Sequence, residues 1–234
     1  MIELHGVRFA YETGTTVLDG VDLRLETGLT LLVGPNGCGK STLLKLVAGV
    51  EHPDAGRVTI EGRDLWREEA EARRPLAYVP EHPDLSPYAS VLEVLRLVCR
   101  LRGEPLDRAR SALAEAGLAD RAQASVRELS AGQRRRALLA AAWVGTPRVV
   151  LLDEPLESLD RGLQDRVLAW IGGLVAREAT VVVVSHQLEP FAAMATSAVT
   201  VRRGMAKGPL PLPPDAKERM AVLEHLARGE DEGR

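Results

Sequence analysis

Alternating apolar and polar residues open the chain. From Ile2 to Thr30 the segments VRFAY and VLDGVDLRLETG repeat with a period of two, broken by Gly, Asp and Thr, which predicts antiparallel strands and turns. Leu29 to Val33 is a mostly apolar run that meets a glycine-rich turn, and Ser41 to Val50 then takes up helical spacing until Gly49 and Pro53 stop it. Val58 to Ile60 and Leu76 to Pro80 predict further short strands. Helical periodicity dominates next, over Val91 to Arg102, Leu106 to Ala116 and Ala131 to Val144, so a helical insertion interrupts the sheet. The valine-rich runs Val149 to Leu152, Thr180 to Val184 and Ala198 to Val201 follow, with a helix over Arg161 to Glu178 between the first two. Apolar runs that alternate with helices suit central strands of a mostly parallel sheet covered on both faces. Beyond them GPLPLPP reads as a stiff polyproline-like connector, Asp215 to Arg228 as one amphipathic helix, and GEDEGR as a frayed end.

Composition narrows the partners. With 45% hydrophobic residues in 234, the chain is long and apolar enough to bury a real core. Charged residues make up 27% and the formal net charge is -3, so no basic surplus points to nucleic acid. Two cysteines, Cys38 and Cys99, are too few for a disulfide framework and fit a reducing compartment. The start lacks the basic region and unbroken apolar run of a signal peptide, and the longest apolar stretches fall well short of the roughly 18 residues that cross a bilayer. The cytoplasm is the expected location.

Chemistry enters at Gly34-Pro-Asn36-Gly37-Cys38-Gly39-Lys40-Ser41, a phosphate-loop pattern between a predicted strand and a predicted helix. Its glycines let the backbone curl so that successive N–H groups, those of Asn36 to Thr42 included, face a nucleotide phosphate. The helix that follows adds its positive N-terminal end, Lys40 offsets phosphate charge, and the Ser41 hydroxyl is a magnesium ligand. A chance match in a chain of this size is on the order of one in a hundred. The run Val149 to Leu152 ends on Asp153 and Glu154, at the end of a parallel strand where ligands bind. Asp153 is placed to hold magnesium, and Glu154 to polarise the water that attacks the γ-phosphate. An apolar run ending in two acids is weak by itself and gains its force from the phosphate loop.

Between these two motifs stands Leu129-Ser130-Ala131-Gly132-Gln133. In sequence and order it resembles the LSGGQ signature of ATP-binding cassette (ABC) ATPases, and the resemblance extends from about Ile2 to Gly204. It implies an α/β phosphate-loop NTPase core with a mostly parallel sheet, an N-terminal antiparallel β subdomain and an inserted α-helical subdomain. The domain would span residues 1–207, with its helical insertion at about 86–145, and 208–234 would form the connector and tail. It also implies ATP and Mg²⁺ as cofactors, a second cassette paired head to tail, and a separately encoded membrane permease that keeps the protein at the inner face of the membrane. In such a pair Ser130, Gly132 and Gln133 close on the partner's ATP. Ser130 caps the helix that starts at Ala131, which makes that helix end a second anion-binding terminus.

Further positions match by resemblance. Tyr11 stands where the family stacks an aromatic ring on adenine, against the plainer reading of a core tyrosine. His186, after the Val-rich strand, matches the switch histidine that contacts the γ-phosphate. Asp160 falls in the loop that crosses the dimer interface, although Glu157-Ser158-Leu159 departs from the usual neighbours. Glu81, after Leu76 to Pro80, replaces the family's usual Gln; a carboxylate suits magnesium, and its charge also repels the γ-phosphate. The segment from Tyr78 to Gly103 resembles exporter cassettes. The rival reading is a soluble ABC ATPase acting in cofactor assembly.

Overall fold

The computed structural model describes residues 1–12, 14–82 and 85–228; the predicted frayed end, 229–234, lies outside them. Along the chain come β1 (Ile2–Ala10), β2 (Thr16–Leu25), β3 (Gly28–Val33), α1 (Lys40–Val47), β4 (Ala55–Ile60), β5 (Arg63–Asp64), α2 (Glu69–Arg73) and β6 (Leu76–Val79). The helices α3 (Val91–Arg102), α4 (Arg108–Glu115) and α5 (Ala131–Trp143) follow, then β7 (Val149–Asp153), α6 (Arg161–Ala176), β8 (Thr180–Val184), α7 (Glu189–Ala192), β9 (Ala195–Arg202), β10 (Met205–Pro211) and α8 (Ala216–Arg228).

Two sheets result. The antiparallel one has the order β2-β1-β4-β5, and the other has the order β10-β9-β3-β8-β7-β6 with every pairing parallel except β9 with β10. Side chains of a strand alternate between faces, and the buried parallel strands split accordingly. Val150, Leu152, Val181 and Val183 join the core under the helices, whereas Val149, Leu151, Val182 and Val184 join the core shared with the antiparallel sheet and α1. A strand with both faces covered tolerates no alternation, which is why these runs are continuously apolar.

The helical insertion is fastened at its ends. Ser90 and Glu93 form a reciprocal capping box at the start of α3, and Gly103 ends it at φ 71°, a left-handed position that favours glycine. From the last turn of α3, Arg102 donates to the carbonyls of Ala141 at 3.0 Å and Val144 at 2.5 Å, satisfying the open end of α5.

One prediction fails along 208–211, while 212–214 do link the last strand to the last helix. Gly208 to Pro211 belongs to β10, which pairs antiparallel with β9, so the sheet continues through the expected connector and across the 207/208 boundary. Proline is compatible with this place because β10 is an edge strand and its missing N–H removes no internal ladder bond. The predicted C-terminal helix forms as α8 and docks through Leu223, which is fully buried. Leu223→Ala is expected to lower stability by about 2–5 kcal/mol through lost burial and an incompletely closed cavity. Urea unfolding would measure it, and an unchanged midpoint would mean that α8 contributes nothing to the core.

Candidate functional site

The phosphate loop is shaped by what a side chain would strike. Gly34 adopts φ 147°, and a Cβ there would lie 2.3 Å from the Val201 carbonyl oxygen. Gly39, at φ 105°, delivers the chain into α1. Lys40 is buried at 8% exposure, and its Nζ donates to the carbonyls of Gly34 at 2.8 Å and Pro35 at 2.9 Å. The ammonium is thus held inside the curl of the loop.

A cleft of about 320 Å³ gathers Tyr11, Asn36, Gly37, Gly39, Lys40, Ser41, Thr42, Glu81, Asp153, Glu154 and His186, residues that come from both sheets and α1. The Ser41 hydroxyl lies beside the Asp153 carboxylate. Asp153 is 2% exposed, and its Oδ1 is buried without a hydrogen-bond partner. Burial pushes its carboxyl above the usual range, and the Ser41 hydroxyl opposes that rise. An unpartnered buried carboxylate oxygen beside a hydroxyl fits a hard cation. Among the described residues no cluster of three or more His, Cys, Asp or Glu could hold a metal alone. Magnesium commonly takes one or two carboxylates and completes its shell with phosphate and water. Ser41, Asp153 and Glu81 line the same cleft and are the candidate ligands.

Glu154 occupies a left-handed backbone position, φ 47°, which is uncommon for a residue with a side chain and typically costs about 1–3 kcal/mol. The end of β8 holds it there. Its N–H donates to the Val184 carbonyl at 2.9 Å, while its carboxylate accepts from the Ser185 hydroxyl at 3.1 Å and the His186 N–H at 2.9 Å. The His186 Nε2 lies 3.7 Å from the same carboxylate. Desolvation raises the Glu154 carboxyl, and the His186 ring opposes the rise. Tyr11 stands at the rim, its hydroxyl 3.2 Å from that of Thr42 and its ring edge-on to Phe9.

The remaining predicted residues lie elsewhere. Gly34 lines a neighbouring cleft, again with Lys40 and His186. Cys38 does not line the main cleft; its thiol lies under the loop, 3.0 Å from where a Gly34 side chain would begin. Ser130, Gly132 and Gln133 start α5 away from the cleft, with the Ser130 Oγ accepting from the Gln133 N–H at 3.3 Å. No atom outside its own helix lies within 4 Å of where a Gly132 side chain would begin, so within one chain this glycine serves no close contact. Asp160 caps α6 through the Leu163 N–H at 3.0 Å and pairs with Arg136 of α5 at 2.6 Å.

Sequence reasoning passed over Ser185 and Arg135. Ser185 adjoins His186 and carries no pattern of its own. Arg135 is 4% exposed, and its guanidinium donates to the carbonyls of Pro80, Glu81, Asp153 and Glu154. A signal did exist: from Arg135 the helical steps of three, four and seven lead to Leu138, Leu139 and Ala142, all on the buried face of α5.

A strand-loop-helix phosphate site beside an acid pair at the end of a buried parallel strand defines a phosphate-loop NTPase. The chain belongs to the ABC transporter family, whose model matches residues 18–157. It is 34% identical over 206 residues to the L-cystine transport system ATP-binding protein TcyN of Escherichia coli, covering 82% of both chains. It is 38% identical over 211 residues to the spermidine/putrescine import ATP-binding protein PotA of Nitratidesulfovibrio vulgaris, with 87% of this chain aligned. Over 180 residues it is 38% identical to the Nod factor export ATP-binding protein I of Burkholderia thailandensis, with 74% aligned. The chain spans only 56% and 59% of the last two proteins. Among solved structures, the ATP binding subunit of an ABC transporter superposes with a TM-score of 0.82 at 27% identity, covering 95% of this chain and 94% of its own. A dimeric bacterial ABC transporter cassette does so with a TM-score of 0.80 at 26% identity, covering 91% and 99%.

The raised carboxyl of Glu154 has a pH consequence. A base works only when deprotonated, and burial holds the Glu154 carboxyl above the ordinary 4.5; if Glu154 is the base, the acid limb of kcat lies above 4.5, with activity lost as pH falls through it. A pH–rate profile measures the limb; one set at or below 4.5 would show that Glu154 is not the group being read.

Proposed function

We propose that this chain is the ATP-binding and ATP-hydrolysing subunit of an ABC transporter, that it works as a head-to-tail pair of cassettes, and that the pair drives a separate membrane permease. One observation carries the reading: the phosphate loop and the acid pair share a cleft, while Ser130 of the signature lies exposed and outside it. The site is therefore incomplete within one chain, and a second copy would bring its own α5 N-terminus to the open side. A helix N-terminus with an exposed hydroxyl suits a terminal phosphate.

In this reading Tyr11 receives the adenine, the loop N–H groups and Lys40 receive the phosphates, and Glu154 accepts a proton from the attacking water. His186, whose N–H fixes the Glu154 carboxylate, keeps that base aimed. Magnesium, when bound, supplies charge neutralisation to the phosphates. Glu81 sits at the same cleft and adds a negative charge where the family's usual residue is neutral.

No described helix is long and apolar enough to cross a membrane, so the membrane path would belong to the permease, with this chain at its inner face. Direction belongs to the permease as well. The exporter-like stretch and the Nod factor relative point to export, whereas most of the relatives, the spermidine/putrescine, sn-glycerol-3-phosphate and molybdenum proteins among them, are named for import. Substrate uptake or efflux by vesicles carrying the permease would decide between them.

Glu154→Gln keeps the shape of the base and removes its basicity, so hydrolysis should fall by about 10²- to 10⁴-fold while ATP still binds. The same variant should accumulate an ATP-stabilised dimer on gel filtration. A species that stays monomeric with ATP and magnesium would rule out head-to-tail closure. Lys40→Ala should weaken ATP binding by the monomer, whereas Ser130→Arg should spare it and stop hydrolysis; equal binding defects in nucleotide titrations would contradict the assignment of Ser130 to the partner's site.

A further inference from the structure

Helix α5 begins at the exposed signature and, one turn later, reaches into the catalytic centre of its own chain. Arg135 makes that connection. One terminal nitrogen, Nη1, donates to the Pro80 carbonyl and to the Glu81 carbonyl at 3.0 Å; the other, Nη2, donates to the Asp153 carbonyl at 2.8 Å and to that of Glu154. Each nitrogen thus serves one segment, the loop after β6 or the end of β7, and the planar fork holds the two segments at fixed separation. The side chain is 4% exposed, and the carboxylates of Glu157, Asp153, Glu81 and Glu154 act on its charge. A buried guanidinium tolerates such a place only with hydrogen bonds and opposite charge nearby; both terminal nitrogens are bonded and the carboxylates supply the charge, while Nε is buried without a partner.

A residue that merely filled space would not need this pattern. The bonds go to the main chain on either side of the acids, so they set where the side chains of Glu81, Asp153 and Glu154 begin without competing for their oxygens. Glu154 also sits in an unfavourable backbone conformation, which persists only when its surroundings over-determine it.

We propose that Arg135 is a positioning residue for hydrolysis, tying the Glu81 loop and the Asp153–Glu154 pair to α5 so that movement of the signature helix is felt by the acids of its own subunit. The proposal rests on the head-to-tail reading, in which the same helix touches the partner's nucleotide. Engagement at one composite site then adjusts the geometry of the other.

The test uses the full chain and separates turnover from binding. Arg135→Lys keeps the charge but offers a single nitrogen, and Arg135→Gln keeps donors without charge or fork; neither spans both segments. Each should lower kcat by about 10²-fold, the penalty of misplacing reacting groups by roughly 1 Å. Binding of a fluorescent ATP analogue by the monomer should stay at the wild-type value, and kcat is counted per nucleotide-binding site so that partial unfolding does not enter. Wild-type kcat in both variants would overturn the proposal, as would a loss confined to binding. Should neither variant bind nucleotide, hydrogen exchange of the unsubstituted chain decides. On addition of ATP, protection at residues 81–82 and 153–154 should rise together with that at the start of α5, and protection of α5 alone overturns the coupling. Absence of hydrolysis by the unsubstituted chain, or of the Glu154→Gln dimer, would instead overturn the transport-ATPase reading.

Discussion

A carboxylate buried at the end of an apolar strand needs compensation, and Asp153 is the point on which this structure turns. Its strand, β7, is wholly buried, so the charge cannot reach open solvent. Compensation comes from the Ser41 hydroxyl and from the nearby charges of Lys40 and Arg135. Those residues belong to the phosphate loop and to α5. The requirement to place one acid thereby joins the loop, the acidic strand and the signature helix, and it leaves one carboxylate oxygen for a cation.

The frame that holds this arrangement is stiff because each central strand is buried twice. Helix α1 lies in the core between the sheets, with Leu43, Leu44, Leu46 and Val47 all buried there. Movement of the loop would therefore disturb a close-packed interior. The helical insertion packs Leu92, Leu95, Leu113 and Leu139 into the other core, with Val150 and Leu152 of β7, and its signature end is exposed at Ser130. A rigid phosphate site beside an outward-facing helix end is what an assembly completed by a second chain requires.

The ABC transporter match and the two superposed cassettes agree with this division of labour. Two carboxylates, those of Glu81 and Asp153, line one cleft. The main chain on both sides of those acids is held by a single buried arginine. Extra negative charge and a fixed guanidinium belong together physically, since each reduces the cost of burying the other.

Much of this was legible in the sequence. The phosphate loop, the acidic strand and the signature helix are local patterns, and periodicity placed α3 at Val91–Arg102 with both ends correct. Local chemistry suffices there, because glycine geometry, helix capping and strand burial act within a few residues. The first part of the expected connector, 208–211, went wrong because proline content was weighed without knowing that β9 had a free edge to pair with. Ser185 and Arg135 escaped notice for a related reason. Their roles lie in bonds to chain segments brought close only by strand order, with Arg135 reaching 54 and 18 residues along the sequence to Glu81 and Asp153. Sequence determined which groups could bind a nucleotide. Tertiary structure alone decided which backbone carbonyls those groups would answer to, since a hydrogen bond reads distance in space and a motif reads distance along the chain.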